Sequence, residues 1–302
     1  MWTDAILAYL HFGAIFTLTL HTQKRAITAG SWTNVVLEPH RSRAFRLNAK
    51  ALGEGAVSTL VDVKVGRVAA ASLGLAELGG IRSSVGVAGS PPERTILPAG
   101  FAQGASTLVL MNTGDARPEL QATLLSKETS QPLGSLVQNA PNAGSAQPFP
   151  LTTDGPSALD VRSAPGVAVA LRTLGIASDQ GSTAGASAPA GAWVILPSIA
   201  GTPAHPGLIL SNPGDVPAVV TLSLLPSGPE TVPPPVTVTI QPGRTVAGPQ
   251  LFVTARPFAA ILATAESGTL VPAAASYSLG QDGIATYAVS LGVPIPEAWI
   301  PS

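Results

Sequence analysis

Cysteine is absent from this chain of 302 residues, and charge is scarce: 16 Lys and Arg stand against 17 Asp and Glu, 11% of the residues. The first absence excludes disulfides, thiolate catalysis and cysteine-ligated zinc or iron–sulfur centres. The second, with a net charge of −1, leaves no basic footprint for nucleic acid or anionic lipid. Aromatic residues make up 5% of the chain against 45% hydrophobics, so its cores must be filled by Val, Leu, Ile and Ala. His11, His21, His40 and His205 are the only histidines. They show no H-x-x-x-H or H-E-x-x-H spacing that would make a metal site. No G-x-S-x-G elbow, phosphate loop or dinucleotide fingerprint occurs. Asp154, Asp160, Asp179 and Asp282 are scattered, whereas a glycosidase needs two converging carboxylates. The expectation is therefore no catalytic residue, no cofactor and no metal.

What is abundant is turn chemistry. Thirty-one glycines and 29 prolines lie mostly between apolar runs, the mark of a turn-rich all-β chain. The chain also repeats itself. Ile96-Leu97-Pro98 recurs 99 positions on as Ile195-Leu196-Pro197, and Asn112-Thr113-Gly114-Asp115 recurs 100 positions on as Asn212-Pro213-Gly214-Asp215. A period near a hundred residues with strand-like patterning predicts tandem antiparallel β-sandwiches of immunoglobulin-like size.

The carboxyl-terminal module is the clearest. Gly207–Ser211 is an apolar strand, and Asn212–Asp215 a turn. Val220, Leu222 and Leu224 then alternate with Thr221 and Ser223, as a half-buried strand does. Asn112, Gly114, Asp115, Asn212, Gly214 and Asp215 are accordingly expected as equivalent structural turn residues. The glycines are expected to take a positive φ, and Asn and Asp to bond their own backbone. Asp115 and Asp215 each have one oxygen to offer calcium, but no second acid lies nearby in sequence, so solvent-facing turn carboxylates are expected.

Modules are expected at 99–199 and 200–302. Val36–Ser42 matches Thr239–Thr245, and Ser83–Pro98 matches Ser182–Pro197. Residues 31–98 thus correspond to the trailing part of a module and are expected to be incomplete, with an unpaired edge. In front stands an uncharged run, Ala5–Leu20. As a helix it would be about 24 Å long, short of the ~30 Å hydrocarbon core. Residues 1–30 are expected as a hydrophobic helix or anchor, contacting membrane through residues 5–20. Asp4 ahead of it and Lys24-Arg25 behind it fit neither a signal peptide nor an exported carboxyl side, so a start foreign to the modules is also open.

The pattern N-P-G-D-x-P-A, V-x-L-x-L-L, V-x-V-x-I-x-P-G-R-T, read from Asn212 to Thr245, resembles a family of actinobacterial repeat proteins of uncharacterised function. The likeness is best over 207–265 and weaker over 33–72 and 107–172. It implies immunoglobulin-like sandwiches and export to the surface, and no catalytic residues.

Arg41 and Arg244 match after the Pro39 and Pro242 turns and are read as strand-end charges that protect an edge. Trp32, Trp193 and Trp299 are candidate sugar-stacking platforms, with Trp193 read as core packing. The leading expectation is a non-enzymatic, exported or membrane-anchored spacer or adhesive array. A carbohydrate- or envelope-binding module is the alternative, favoured by an exposed aromatic beside 131–156 or 178–190. Accessory domains of a lost hydrolase are a third possibility.

Overall fold

The computed structural model describes residues 2–8, 13–47, 50, 57–75, 81–85, 89–99, 105–153, 155–174, 180–196, 204–226, 232–249, 260–279 and 285–299. Among them the chain is all-β, with one helix, α1 (Gly134–Gln138), and two single 3-10 turns. The strands fall into three successive groups, each of two layers of antiparallel strands, and one parallel pairing, Gln180↔Arg82, joins a layer of the first group to a layer of the second in a single eight-stranded sheet.

The second group contains β9 (Arg94–Ala99), β10 (Ala105–Asn112), β11 (Leu120–Leu125), β12 (Ser130–Pro132), β13 (Ala146–Thr152), β14 (Ser157–Ser163), β15 (Val167–Leu174) and β16 (Gln180–Thr183). Its sheets run β12-β11-β14-β9 and β13-β10-β15-β16. The third group contains β17 (Ala192–Ile195), β18 (Ala204–Asn212), β19 (Ala218–Leu225), β20 (Val236–Ile240), β21 (Arg244–Ala247), β22 (Ala260–Ser267), β23 (Val271–Leu279), β24 (Ala285–Leu291) and β25 (Val293–Pro294). Its sheets run β20-β19-β22-β17-β25 and β21-β18-β23-β24. Strand for strand, the order is the same in both groups, with β25 added at one edge of the third.

Alternation builds the cores. In β19 Ala218, Val220 and Leu222 are buried while Val219, Thr221 and Ser223 are not, the period of 2 of a sheet with one covered face. Leu208 and Leu210 from the facing sheet close the third core around Trp193 and Ile195. Leu108, Leu110, Leu159, Val161 and Leu171 do the same in the second. The strand order differs from that of an immunoglobulin domain, whose first two strands are neighbours in one sheet. Here β9 and β10, like β17 and β18, lie in opposite sheets.

The amino-terminal group overturns the expected helix. Residues 5–8 lie in β1 (Trp2–Ala8) and 14–20 in β2 (Ala14–Thr22), with 9–12 outside the described residues; β3 (Ala26–Ile27), β4 (Val35–Leu37), β5 (Ser42–Arg46), β6 (Val57–Val65), β7 (Ala69–Leu75) and β8 (Ile81–Val85) follow. The physical reason is the period: Ala14, Phe16, Leu18 and Leu20 are buried, while Ile15, Thr17 and Thr19 are only half-buried. A helix would have scattered that set around its circumference. Among the described residues no helix is long and apolar enough to cross a membrane.

β1 pairs with β5 and β7, as β10 pairs with β13 and β15, and β18 with β21 and β23. β2 pairs with β4 and β6, as β11 pairs with β12 and β14. The two leading strands expected to be missing from 31–98 are therefore β1 and β2. Phe16, Leu18, Trp32, Phe45 and their neighbours form a core between the two sheets. What the first sandwich lacks, among the described residues, is a counterpart of β9 and β17. Those strands themselves belong to the second and third sandwiches, which therefore begin at β9 and β17, while the parallel pairing of β16 with β8 joins a layer of the first sandwich to one of the second.

Candidate functional site

The repeated turns are built around a buried amide. Asn112 and Asn212 end β10 and β18 and are 1% and 0% exposed. Asn212 Nδ2 donates to the carbonyls of Val216 at 2.8 Å and Ile240 at 3.0 Å, and its Oδ1 accepts the N–H of Gly214 at 3.0 Å. Asn112 does the same with Ala116 at 2.8 Å, Pro141 at 3.2 Å and Gly114 at 2.9 Å. Each amide ties the turn after one strand to a segment about 28 residues away, Asn212 at 28 and Asn112 at 29. It satisfies backbone groups that burial would otherwise orphan.

The glycine part of the expectation is corrected. Neither Gly114 nor Gly214 has a positive φ. Their smallness serves the asparagine instead: a Cβ would stand 3.2 Å from Asn112 Oδ1 and 3.1 Å from Asn212 Oδ1. Positive φ is found elsewhere, at Gly66, Gly166 and Gly268, with values of 81°, 91° and 68°. These three occupy one place in the three sandwiches, between β6 and β7, β14 and β15, and β22 and β23. Their spacing of 100 and 102 was open to sequence reading.

Asp115 and Asp215 are exposed, and no group of three His, Cys, Asp or Glu residues able to hold a metal occurs among the described residues. His11, Asp154, Asp179 and Asp282 lie outside the described residues. His21 is buried, with Nδ1 donating to the Gly144 carbonyl at 2.9 Å, and so links the first sandwich to the second. His40 is exposed with φ 57°, in the turn that matches Pro242-Gly243, where Gly243 has φ 63°. His205 lies on β18 opposite Tyr277. Arg41 is exposed, and Arg244 stands opposite Asn212 at the start of β21.

Two of the three candidate tryptophan platforms are core. Trp193 is 1% exposed, with Nε1 donating to Ala190 O at 3.1 Å, and Trp32 packs edge-on against Phe45. Trp299 is 73% exposed.

The densest chemistry that sequence reading missed lies where the second and third sandwiches meet. Arg94 donates through Nε and Nη2 to the two carboxylate oxygens of Asp160 at 2.9 and 2.8 Å, and Nη2 also donates to Pro213 O at 3.1 Å. Hydrogen bonding to Asp160, then its charge, raises the Arg94 pKa against the opposing effect of burial. Ile96 exchanges both backbone hydrogen bonds with Ala186 at 2.8 Å, and both side chains belong to the third core. On β9 the residue facing its own core is Leu97, whereas on β17 it is Ile195. The Ile-Leu-Pro repeat is thus used one register apart. A slip of one exchanges faces, which frees Ile96 for the neighbouring core and leaves Leu196 59% exposed. Compared with protein-family models, with curated proteins and with solved structures, the chain matches none.

Proposed function

We propose that this chain is a non-enzymatic structural array, a spacer or adhesive surface built of tandem sandwiches of immunoglobulin-like size and displayed outside the cytoplasm. The observation that carries the reading is the junction at Ile96. A side chain of the second sandwich completes the core of the third, and Arg94 bonds both Asp160 of its own sheet and Pro213 of the next sandwich. Tandem domains with relative freedom meet through small polar contacts; a shared core instead holds two modules at a fixed orientation, which is what a spacer needs. The resemblance to exported repeat proteins supports the location. Any anchoring falls to a part other than a helix at 5–20.

Because the chain has no cysteine, a Gln121→Cys, Thr239→Cys double variant carries two spin labels and no others. Both positions are exposed, one on β11 and one on β20. A narrow distance distribution by pulsed electron resonance is expected. A broad one, or turnover in a hydrolase, transferase or redox screen that a single Asp or His substitution abolishes, overturns the reading. Of the aromatics, Phe149 in 131–156 packs against the second core, so no exposed ring there favours glycan binding.

A further inference from the structure

The three sandwiches share one strand order, and among the described residues one place in it is unfilled. β14 is flanked by β11 and β9, and β22 by β19 and β17, whereas β6 pairs, among the described residues, with β2 alone. Burial records the difference. Leu159 and Val161 on β14, and Ile261 and Ala263 on β22, are at most 1% exposed. The core-facing Val57, Val61 and Val63 of β6 reach only the half-buried class. Among the described residues no strand closes that flank of the first core, and the outer edge of the nine-residue β6 has no pairing partner.

The strand that fills this place in the other sandwiches has a consistent origin. β9 follows β8, and β17 follows β16; in each case the chain leaves the last strand of one sandwich and supplies the first strand of the next. β24 is likewise the last strand of the β21-β18-β23-β24 sheet. Beyond it, β25 pairs with the outer edge of β17 through Trp193↔Pro294, as Ala186 pairs with the outer edge of β9 through Ile96. Seven residues beyond Ala186 comes Trp193 in Ala192-Trp193-Val194-Ile195-Leu196-Pro197-Ser198; six beyond Val293 comes Trp299 in Ala298-Trp299-Ile300-Pro301-Ser302. The second run repeats the first in order, without counterparts of Val194 and Leu196. In the first run Ala192–Ile195 forms β17, whereas Ala298 and Trp299 of the second close the 3-10 turn Glu297–Trp299 and are exposed. Trp193 fills a core; Trp299 is 73% exposed.

We propose that the free edge of β6 is a docking site for a strand of this type, and that residues 298–302 of a second copy of the chain supply it. The incoming strand adds main-chain hydrogen bonds to β6, antiparallel as β9 lies on β14, and its apolar side chains cover Val61 and Val63. Asp62 and Lys64 do not block it. They alternate with the core-facing valines and are exposed, and β14 pairs fully with β9 while carrying Asp160 and Arg162 on the same kind of outward face. Donor and acceptor lie in different sandwiches, so the contact is heterologous and joins copies head to tail into rings or filaments. This goes beyond the spacer reading and does not rest on it.

The test uses the full chain of 302 residues. Sedimentation velocity from micromolar to about 100 µM is expected to show concentration-dependent assembly. Trp299→Ala, at an exposed position, should weaken it about thirtyfold or more, as loss of an anchoring tryptophan does. A synthetic peptide of residues 292–302, added to the Trp299→Ala chain, should protect the amides of 57–65 from hydrogen exchange; the same peptide with Trp299→Ala should not. A full chain that stays monomeric overturns the proposal, as does assembly indifferent to Trp299→Ala. Protection of 57–65 already present in the monomer overturns it too, because the edge is then filled from within one chain.

Discussion

Arg94 on β9 reaches diagonally to Asp160 on β14, the residue opposite Ile96, as a two-point ion pair, 2.9 Å at Nε and 2.8 Å at Nη2. The pair is neither surface nor core: the side chains are 27% and 12% exposed. Such a pair stabilises more than an exposed one, because less of it is screened, and one partner cannot be removed without leaving the other half-desolvated. Arg94→Met should cost about 1–3 kcal/mol in chemical denaturation, part of it from the lost bond to Pro213 O. The sign of its pH dependence is fixed by the direction of the shift. The folded guanidinium has its pKa raised above its ordinary value. Its contribution is full below that value and is lost only as pH rises through the folded one. The Arg94→Met penalty should therefore not fall as pH is raised from about 7 to about 10. A penalty that shrank over that range would show that the pair does not act as described.

Asn212 gives a sharper test because nothing about it is exposed. Removing its amide strands Val216 O, Ile240 O and the Gly214 N–H. Asn212→Ala should cost about 2–4 kcal/mol, the sum of a core truncation and unpaired backbone groups. Asn212→Asp keeps the volume but turns the donor into an acceptor facing two carbonyls, and should cost at least as much at neutral pH. Asn112→Ala and Asn112→Asp should give the same ordering in the second sandwich. Equal stability of the Asp and wild-type chains would rule out the assigned hydrogen bonds.

The glycines divide by mechanism. A Cβ on Gly268 would stand 2.8 Å from Pro217 O with φ 68°, and on Gly66 2.6 Å from Gly13 O with φ 81°. Either alanine variant should lose about 2 kcal/mol or more through strain and contact together. Gly214→Ala meets the Asn212 amide oxygen at 3.1 Å and Thr269 Oγ1 at an ordinary 3.8 Å, with no positive φ, and should cost less. Gly134→Ala, with open space around it at the start of α1, should be neutral or stabilising by a few tenths of a kcal/mol. Thermal melts of the four variants in that order check the assignment; Gly214→Ala as the worst of them would reverse it.

The sequence carried the architecture further than the site. Repetition, proline and glycine placement and the alternation at Val220, Leu222 and Leu224 led directly to paired sheets. The error at 5–20 came from weighing total hydrophobicity above period. Phe16, Leu18 and Leu20 already alternated with Thr17 and Thr19, and a period of 2 outranks an uncharged run of helix length. The turn residues were legible as turns, because Asn and Gly recur at fixed spacing. The division of labour within them was not, since which glycine needs a left-handed backbone depends on the path of the strands on either side. Least legible was the junction. Nothing in Ile96-Leu97-Pro98 announces that its two apolar residues serve different sandwiches. Only pairing with Leu159 on one side and Ala186 on the other separates them.

That separation yields the most discriminating substitution pair in the chain. Ile96 and Leu97 are adjacent, both 0% exposed, and both on β9, yet Leu97 packs among Leu108, Leu159 and Leu171 while Ile96 packs in the cluster of Trp193, Ile195 and Leu208. Truncating either to alanine opens a cavity and should cost about 2–5 kcal/mol. The cost should appear in different places. In native-state hydrogen exchange, Leu97→Ala should lower protection at Leu110 and Val161 in the second sandwich. Ile96→Ala should lower it at Leu210 and Val220 in the third, although Ile96 belongs by strand to the second. If Ile96→Ala loosened only the second sandwich, the two cores would be energetically separate, and the fixed orientation on which the spacer reading depends would lose its physical basis.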